Sequence, residues 1–457
     1  MSTSPDRLTI ALTGDSMLSR SISVFAEEPY LRLRDVLRSA DVVFTNFEAN
    51  AHPYLDDPHA QRDGGGTYVT TEPRLLDDLK WLGVNLVACG SSHADDYGPK
   101  GILDTMRYLD VAGIAHAGSG RHLAEARAPA YVETARGRVA LIAATSQYRP
   151  GTRAGDQRYD TLGYPGVNGL RHKVVYNVDQ PMLEQLRGIG RAIGWEAFVE
   201  RRRFQGDPEA ANRAEDSYNF LGKWFRLAAQ PGANTFANEA DVKENLRQVC
   251  NARAFADKVI VSLHCHDLGG PTLITAKRRS EVEDLADFAI DFGRRSIDAG
   301  ADIFVAHGPQ VPLAVEIYKG KPMLHGIGTF IFQVETMKYL PAEAYERYGL
   351  GERATPADFI EARYQGDTRG HAGDPAQWEQ MFAVCEFSAD DFSQLRLYPI
   401  DLGFQRRRTD RGRPMLADGA IADRVLKRVA RLSAKYGTKV ELHEGIGIVS
   451  PEGEKAP

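Results

Sequence analysis

Short runs of β-branched and other apolar residues recur along the chain, and each ends in small or polar residues before a stretch with helical spacing begins. The runs are Leu8 to Thr13, Asp41 to Thr45, Asn85 to Cys89, Val139 to Ala144, Lys258 to Leu263 and Ile303 to Ala306. They read as buried strands. Between them, Leu31 to Ser39, Pro73 to Leu82, Gly101 to Ala112 and Glu281 to Ala299 place apolar residues three or four apart, as an amphipathic helix does. Alternation of the two patterns predicts an α/β protein.

The rhythm breaks between Arg149 and Asp257. That stretch is rich in Arg, Gly, Asn and aromatic residues, and it is too long for a structureless loop. It is therefore expected to form a cap or substrate-binding subdomain (149–257) inserted into a core built from 1–148 and 258–333. A C-terminal extension, 334–457, carries a strand pattern at Gln394 to Leu402, a helix pattern at Ile421 to Lys435 and a last strand near Val440, and is expected to pack on the core.

Composition narrows the class. With 457 residues, 43% hydrophobic and 26% charged, the chain is ordinary globular material, and a net charge of -6 supplies no field for a nucleic-acid backbone. Nucleic acid is excluded as a partner on that ground. Cys89, Cys250, Cys265 and Cys385 show no CxxC spacing, so neither a zinc knuckle nor a disulfide framework is expected. The start, Met1 to Arg7, has no basic and apolar leader pattern, and no apolar run reaches membrane-spanning length, which reads as a cytoplasmic protein without a membrane span.

The chemically capable residues cluster just after the strand runs: Gly14-Asp15, Asn46-Phe47-Glu48, Ser91-Ser92-His93, His264-Cys265-His266 and His307-Gly308-Pro309-Gln310. Loops at the carboxyl edge of a sheet converge, so one site is expected from five loops. Of the His264 and His266 pair, one imidazole is expected in the site, His264, with His266 packing. Cys265 reads as an inert buried thiol.

Taken in order, Thr13-Gly-Asp15, Asn46-Phe-Glu48, His93-Ala-Asp-Asp-Tyr-Gly98, Gly118-Ser-Gly-Arg121, Ser262-Leu-His264, His307-Gly-Pro309, Glu316 to Pro322 and Gly326 to Phe332 resemble the CapA family of capsule or poly-γ-glutamate synthesis proteins. The resemblance spans roughly residues 7 to 333. It implies a metallophosphoesterase-like α/β/β/α sandwich in which Asp15, Glu48, His264 and His307 are metal ligands. The chain departs from the family where it has Ser91-Ser92 for two asparagines, Gln310 for a histidine and Thr329 for an asparagine. Ser92 and Gln310 both stand at positions expected to bind metal, so a two-metal centre is not expected.

A depleted ligand set also resembles the family's lasso-peptide epimerase branch. That resemblance implies a metal-free isomerase inverting a peptide Cα, with Asp15 and His307 on opposite faces and His93 as a further acid or base. Asn46, Glu48, Ser91, Ser92, His264 and Gln310 would line the substrate site. Arg171 and Arg153 of the cap would hold an anionic group of a peptide, such as a ribosomally made precursor. On this reading no cofactor is needed. The alternative is a hydrolase or transferase acting on a peptide, γ-glutamyl or phosphoester bond through one divalent ion, such as Mn or Mg, held by Asp15, Glu48, His264 and His307. A non-catalytic scaffold in polymer assembly is the third reading.

Overall fold

The computed structural model describes residues 7–54, 59–60, 67–211, 216–388 and 391–451. The opening residues 1–6, on which the reading of the chain's start rests, lie outside them. The architecture is mixed α/β, with two large sheets. In the first, the Arg7–Met17 strand pairs in parallel with Val42–Phe47 and Thr329–Phe332, and antiparallel with Glu379–Ser388. Leu86–Ala88 and Ala115–Ala117 extend it on one side, and Asp391–Asp401 and the last hairpin on the other. The second sheet has the order Val315–Tyr318, Lys321–Leu324, Ile303–His307, Lys258–His264, Gly137–Thr145, Ala130–Thr134.

Strand side chains alternate between faces, and the alternation divides the core into layers. Leu8, Ile10 and Leu12 join Val42 and Phe44, Val139, Leu141 and Ala143, Ile260, and Ile303 and Val305 in one buried cluster shared by both sheets. The intervening residues face outward. Ala11 meets Leu33 and Leu37 of the Glu28–Arg38 helix, while Ala140, Ile142 and Val261 meet Val242 and Val249 of the Glu239–Arg253 helix and Phe288 and Phe292 of the Asp287–Asp298 helix. Two sheets thus share an apolar layer, with helices covering their outer faces.

Three elements differ from expectation. The helix expected from Glu281 starts at Asp287, after a 3₁₀ turn at Arg279–Glu281 that is held by other parts of the chain. Within 149–257, four strands between His172 and Ala237 form a sheet of their own, but the Glu239–Arg253 helix packs on the second large sheet and belongs to its core. Residues 334–457 do more than lie against the rest: Glu379–Ser388 is hydrogen-bonded along Arg7 to Leu12, and Phe382, stacked on Tyr398, shares a core cluster with Met17 and Phe330. Among the described residues, no helix is long and apolar enough to cross a membrane.

Because Phe382 is fully buried in a layer shared with the N-terminal strand, Phe382→Ala is expected to destabilise the whole chain by about 3–5 kcal/mol. Urea unfolding followed by fluorescence and circular dichroism should keep a single transition. Two separated transitions would show that the C-terminal segment folds independently.

Candidate active site

The inward rows of both sheets carry on past the apolar layer and change from hydrocarbon to donor atoms. His264 continues the phase of Ile260, His307 that of Ile303 and Val305, and Asn46 that of Val42 and Phe44. His264 and His307 are direct register partners, as are Asp15 and Asn46. Asp15 is turned toward them where the opening strand slips register against both parallel neighbours, a bulge of the kind that re-aims a side chain. Gly14 permits it, since a Cβ there would lie 2.2 Å from the Gly328 carbonyl oxygen.

At the centre, Asp15 Oδ1 lies 3.6 Å from His264 Nδ1 and 3.7 Å from His307 Nδ1, and accepts a 2.7 Å hydrogen bond from Asn46 Nδ2. The backbone N–H of Gly308 donates to Asp15 Oδ2. Glu48 Oε1 lies 3.3 Å from His264 Nε2 and 3.8 Å from His266 Nε2, and accepts from Ser92 Oγ at 2.8 Å. Asp15, His264 and His307 have no exposed side-chain surface, and Glu48 almost none. Solvent reaches the cluster through His266 and His93, whose side chains are 18% and 22% exposed.

Burial tends to neutralise these groups and mutual charge tends to keep them ionised. For His264, burial lowers the pKa, but the carboxylates of Glu48 and Asp15 outweigh it and push the value up to about 10. Burial would raise Glu48, yet the His264 charge and hydrogen bonds from His264 and His266 hold it well below the usual carboxylate range. His307 and His266 go the other way, each pushed down to about 4, principally by burial. His93 is raised, since the charge of Asp96, hydrogen-bonded to Nδ1 at 2.6 Å, overcomes burial. Arg149 in turn bridges Asp95 and Asp96.

His266 was expected to pack and instead enters the site. Residues two apart on an extended strand share a face, so the His264–His266 spacing favours both, and their Nε2 atoms are 3.0 Å apart. Arg279 meets His266 Nδ1 at 3.2 Å. Nothing in the sequence marks Arg279, because it reaches the cluster from a loop with neither strand nor helix periodicity. Cys265, between the histidines, points to the outer core, and burial raises its thiol far above its ordinary value.

The cap arginines are elsewhere engaged. Arg153, Arg171 and Arg127 all converge on the buried Asp241, at 2.9, 2.7 and 2.9 Å, so Arg153 and Arg171 serve a structural carboxylate rather than an open anion site. Ser91 is buried beside Ser92, with its Oγ lacking a partner. Gln310 adopts left-handed backbone (φ 63°), and its carbonyl accepts from Gln380 Nε2; among the described residues its side chain makes no hydrogen bond to the cluster.

The hydrogen inventory shows what the cluster lacks. Both ring nitrogens of His307, Glu48 Oε2 and Asn46 Oδ1 are buried without a partner, whereas buried polar atoms are nearly always paired. His264 Nε2 lies within reach of both Glu48 Oε1, at 3.3 Å, and His266 Nε2, at 3.0 Å, while Arg279 donates to the other nitrogen of His266. Glu48, His264 and His266 offer ligand atoms within 4.8 Å of one another, with Asp15 and His307 adjoining. The donor set of carboxylate oxygen and imidazole nitrogen suits one divalent ion. While Arg279 donates to Nδ1 of His266, that ring keeps its proton on Nε2, and Glu48 and His264 remain, with Asp15 and His307 on the Nδ1 side of the His264 ring, as the groups that could hold an ion.

Comparison with known proteins locates this cluster in a family. The family model for bacterial capsule synthesis protein PGA_cap matches residues 9–334. The y4sH protein of Sinorhizobium fredii is 32% identical, over 97% of this chain and 93% of its own. The capsule biosynthesis protein CapA of Bacillus anthracis is 21% identical, over 72% of this chain and 60% of its own. A crystal structure of a hypothetical protein from Thermus thermophilus aligns with 86% of this chain and 99% of its own, at 14% identity and a TM-score of 0.33.

His307 gives the site a predictable pH response. Its folded pKa of about 4 lies below the ordinary 6.5, so the unfolded chain binds more protons between those values, and stability falls as pH drops through that window. His264, raised, is protonated in both states there and adds no slope. With chelator present, His307→Gln is expected to remove roughly 3 kcal/mol of the stability lost between pH 6.5 and 4, measured by urea unfolding. An unchanged loss would contradict the assignment of a buried neutral His307.

Proposed function

The chain belongs to the bacterial capsule synthesis protein PGA_cap family, and from that premise we propose that it is a divalent-metal-dependent hydrolase or transferase acting on an amide bond of a glutamyl-type peptide. The observation that carries this reading is the buried cluster of two carboxylates around His264 and His266, with both nitrogens of the adjoining His307 unpaired. The substrate class is suggested by the family description and by the capsule-biosynthesis name of the Bacillus relative.

Asp15 and Glu48 would set two negative charges on either side of His264 to balance one ion, with His307 a further neutral donor on the Asp15 side. Ser92 fixes Glu48 by donating to Oε1, and the Gly308 N–H fixes Asp15. The ion, when bound, supplies Lewis acidity and makes water a better nucleophile at neutral pH. His93 then acts as the proton donor. Its Nδ1–H is held by Asp96, its pKa is raised, and its partly exposed ring stands within the field of the Glu48 charge. A proton passed from its Nε2 to the departing amide nitrogen completes bond cleavage.

Metal-free Cα epimerisation by Asp15 and His307 is less well supported by the same geometry. A base and an acid on opposite faces of one carbon, each about 3 Å away, must be about 6 Å apart. These two lie 3.7 Å apart, and both are sealed from solvent.

Equilibrium dialysis with Mn²⁺ should find one ion bound per chain, and Asp15→Asn and Glu48→Gln should each weaken it at least about 10-fold. His93→Gln should leave Mn²⁺ affinity intact and lower kcat by about 10²–10⁴ on a γ-glutamyl peptide. Absence of Mn²⁺ binding, together with solvent deuterium incorporated at Cα of a peptide, would replace this reading with the isomerase.

A further inference from the structure

Arg127, Arg149, Arg411 and Arg413 are all drawn into the fold, and each meets a carboxylate. Arg279 is different. Among the described residues it meets no carboxylate within ion-pairing distance, and its polar contact is to the ring nitrogen of His266. Glu48 and Asp267 act on it only from further away, and burial lowers its pKa. Holding a guanidinium partly desolvated without a counter-ion is costly, so its position needs a reason.

The position is also fixed from outside the region matched by the family model, which ends at residue 334. Arg428, on the Gly419–Ser433 helix, donates to the carbonyls of Ser280 and Val282, and also to that of Pro312. Asp374 accepts from the Ser280 N–H. The turn carrying Arg279 is thus clamped on both sides by the C-terminal segment. Arg279 also stands on the side of the cluster that solvent reaches, against His266. His371, from the same segment, is pushed down to about 3 by burial and then by the charges of Arg363 and Arg279, so it stands beside them as a neutral imidazole and offers Arg279 no counter-charge.

We propose that Arg279 is the receptor for a carboxylate of the substrate at the mouth of the site, and that the C-terminal segment, through Arg428 and Asp374, positions it. The inference rests on the metal-dependent reading for its charge balance: the ion matches Asp15 and Glu48, and Arg279 is left as the site's uncompensated charge. A planar guanidinium with two parallel N–H groups pairs with a carboxylate in a fixed orientation, which a loosely held lysine does not reproduce. The C-terminal segment then acts on substrate preference by positioning Arg279, which itself lies in the family region with the groups that carry the chemistry.

The test compares two probes on the Mn²⁺-loaded full-length protein by calorimetry: a γ-glutamyl tripeptide with free α-carboxylates, and the same tripeptide with those groups as carboxamides. The wild type should bind the carboxylate form at least about 10-fold more tightly. Arg279→Gln should abolish that preference, and Arg279→Lys should restore only part of it. Arg428→Met, which leaves Arg279 in place but unclamps its turn, should reduce the ratio between the two probes; a purely structural role would lower stability and leave the ratio alone. Mn²⁺ affinity, measured alongside, should be unchanged in Arg428→Met, and a failure of the metal reading shows separately as absent Mn²⁺ binding in the wild type. Equal binding of the two probes by wild type, no binding of either, or a preference that survives Arg279→Gln would overturn the proposal.

Discussion

Two carboxylates sealed from water, Asp15 and Glu48, set the terms for everything around them. An ionised carboxyl removed from solvent is tolerated only with compensating charge and hydrogen bonds. Asn46, Ser92 and the Gly308 N–H meet part of the need, and His264 lies between the two with its pKa pushed up. The bulge at Asp15 and the crowded Gly14 exist where that carboxylate must be turned into the layer between the sheets. The arrangement is satisfied only in part, as the unpaired nitrogens of His307 show, and this incompleteness is what points to an ion.

The strands that build the site were legible in the sequence because their runs are short, apolar and end in polar residues, and those endings are where Asp15, Asn46, His264 and His307 meet. Period-two alternation explains why His264 and His307 extend the inward rows and why Cys265 does not. What the pattern hid is mostly tertiary. Arg153 and Arg171 look like anion-binding residues until Asp241, some 70 positions or more along the chain, is seen to hold both. Arg279 carries no periodic signal, and its placement depends on Arg428, about 150 residues away. The strand at Glu379–Ser388 escaped notice because its pairing partner is the first strand of the chain.

The division between residues 9–334 and the remainder has a functional sense in this account. The family region holds Asp15, Glu48, His264 and His307 together with His93, the groups to which the proposal gives metal binding and proton donation. The remainder closes the first sheet and clamps the Arg279 turn. The alignment with the Sinorhizobium protein spans 97% of this chain, so most of that segment is shared with it as well. Arg279, the carboxylate receptor of the proposal, lies within the family region beside His266 and is positioned from outside it.

The claim that a cation replaces a proton on His264 has a direct measurement. Mn²⁺ binding by calorimetry at pH 7, in buffers of different ionisation enthalpy, counts the protons released. Because the carboxylates hold His264 protonated, with a pKa of about 10, and His307 and His266 are already neutral, about one proton should leave per ion bound. Binding with no proton release, or no binding at all, would contradict the account.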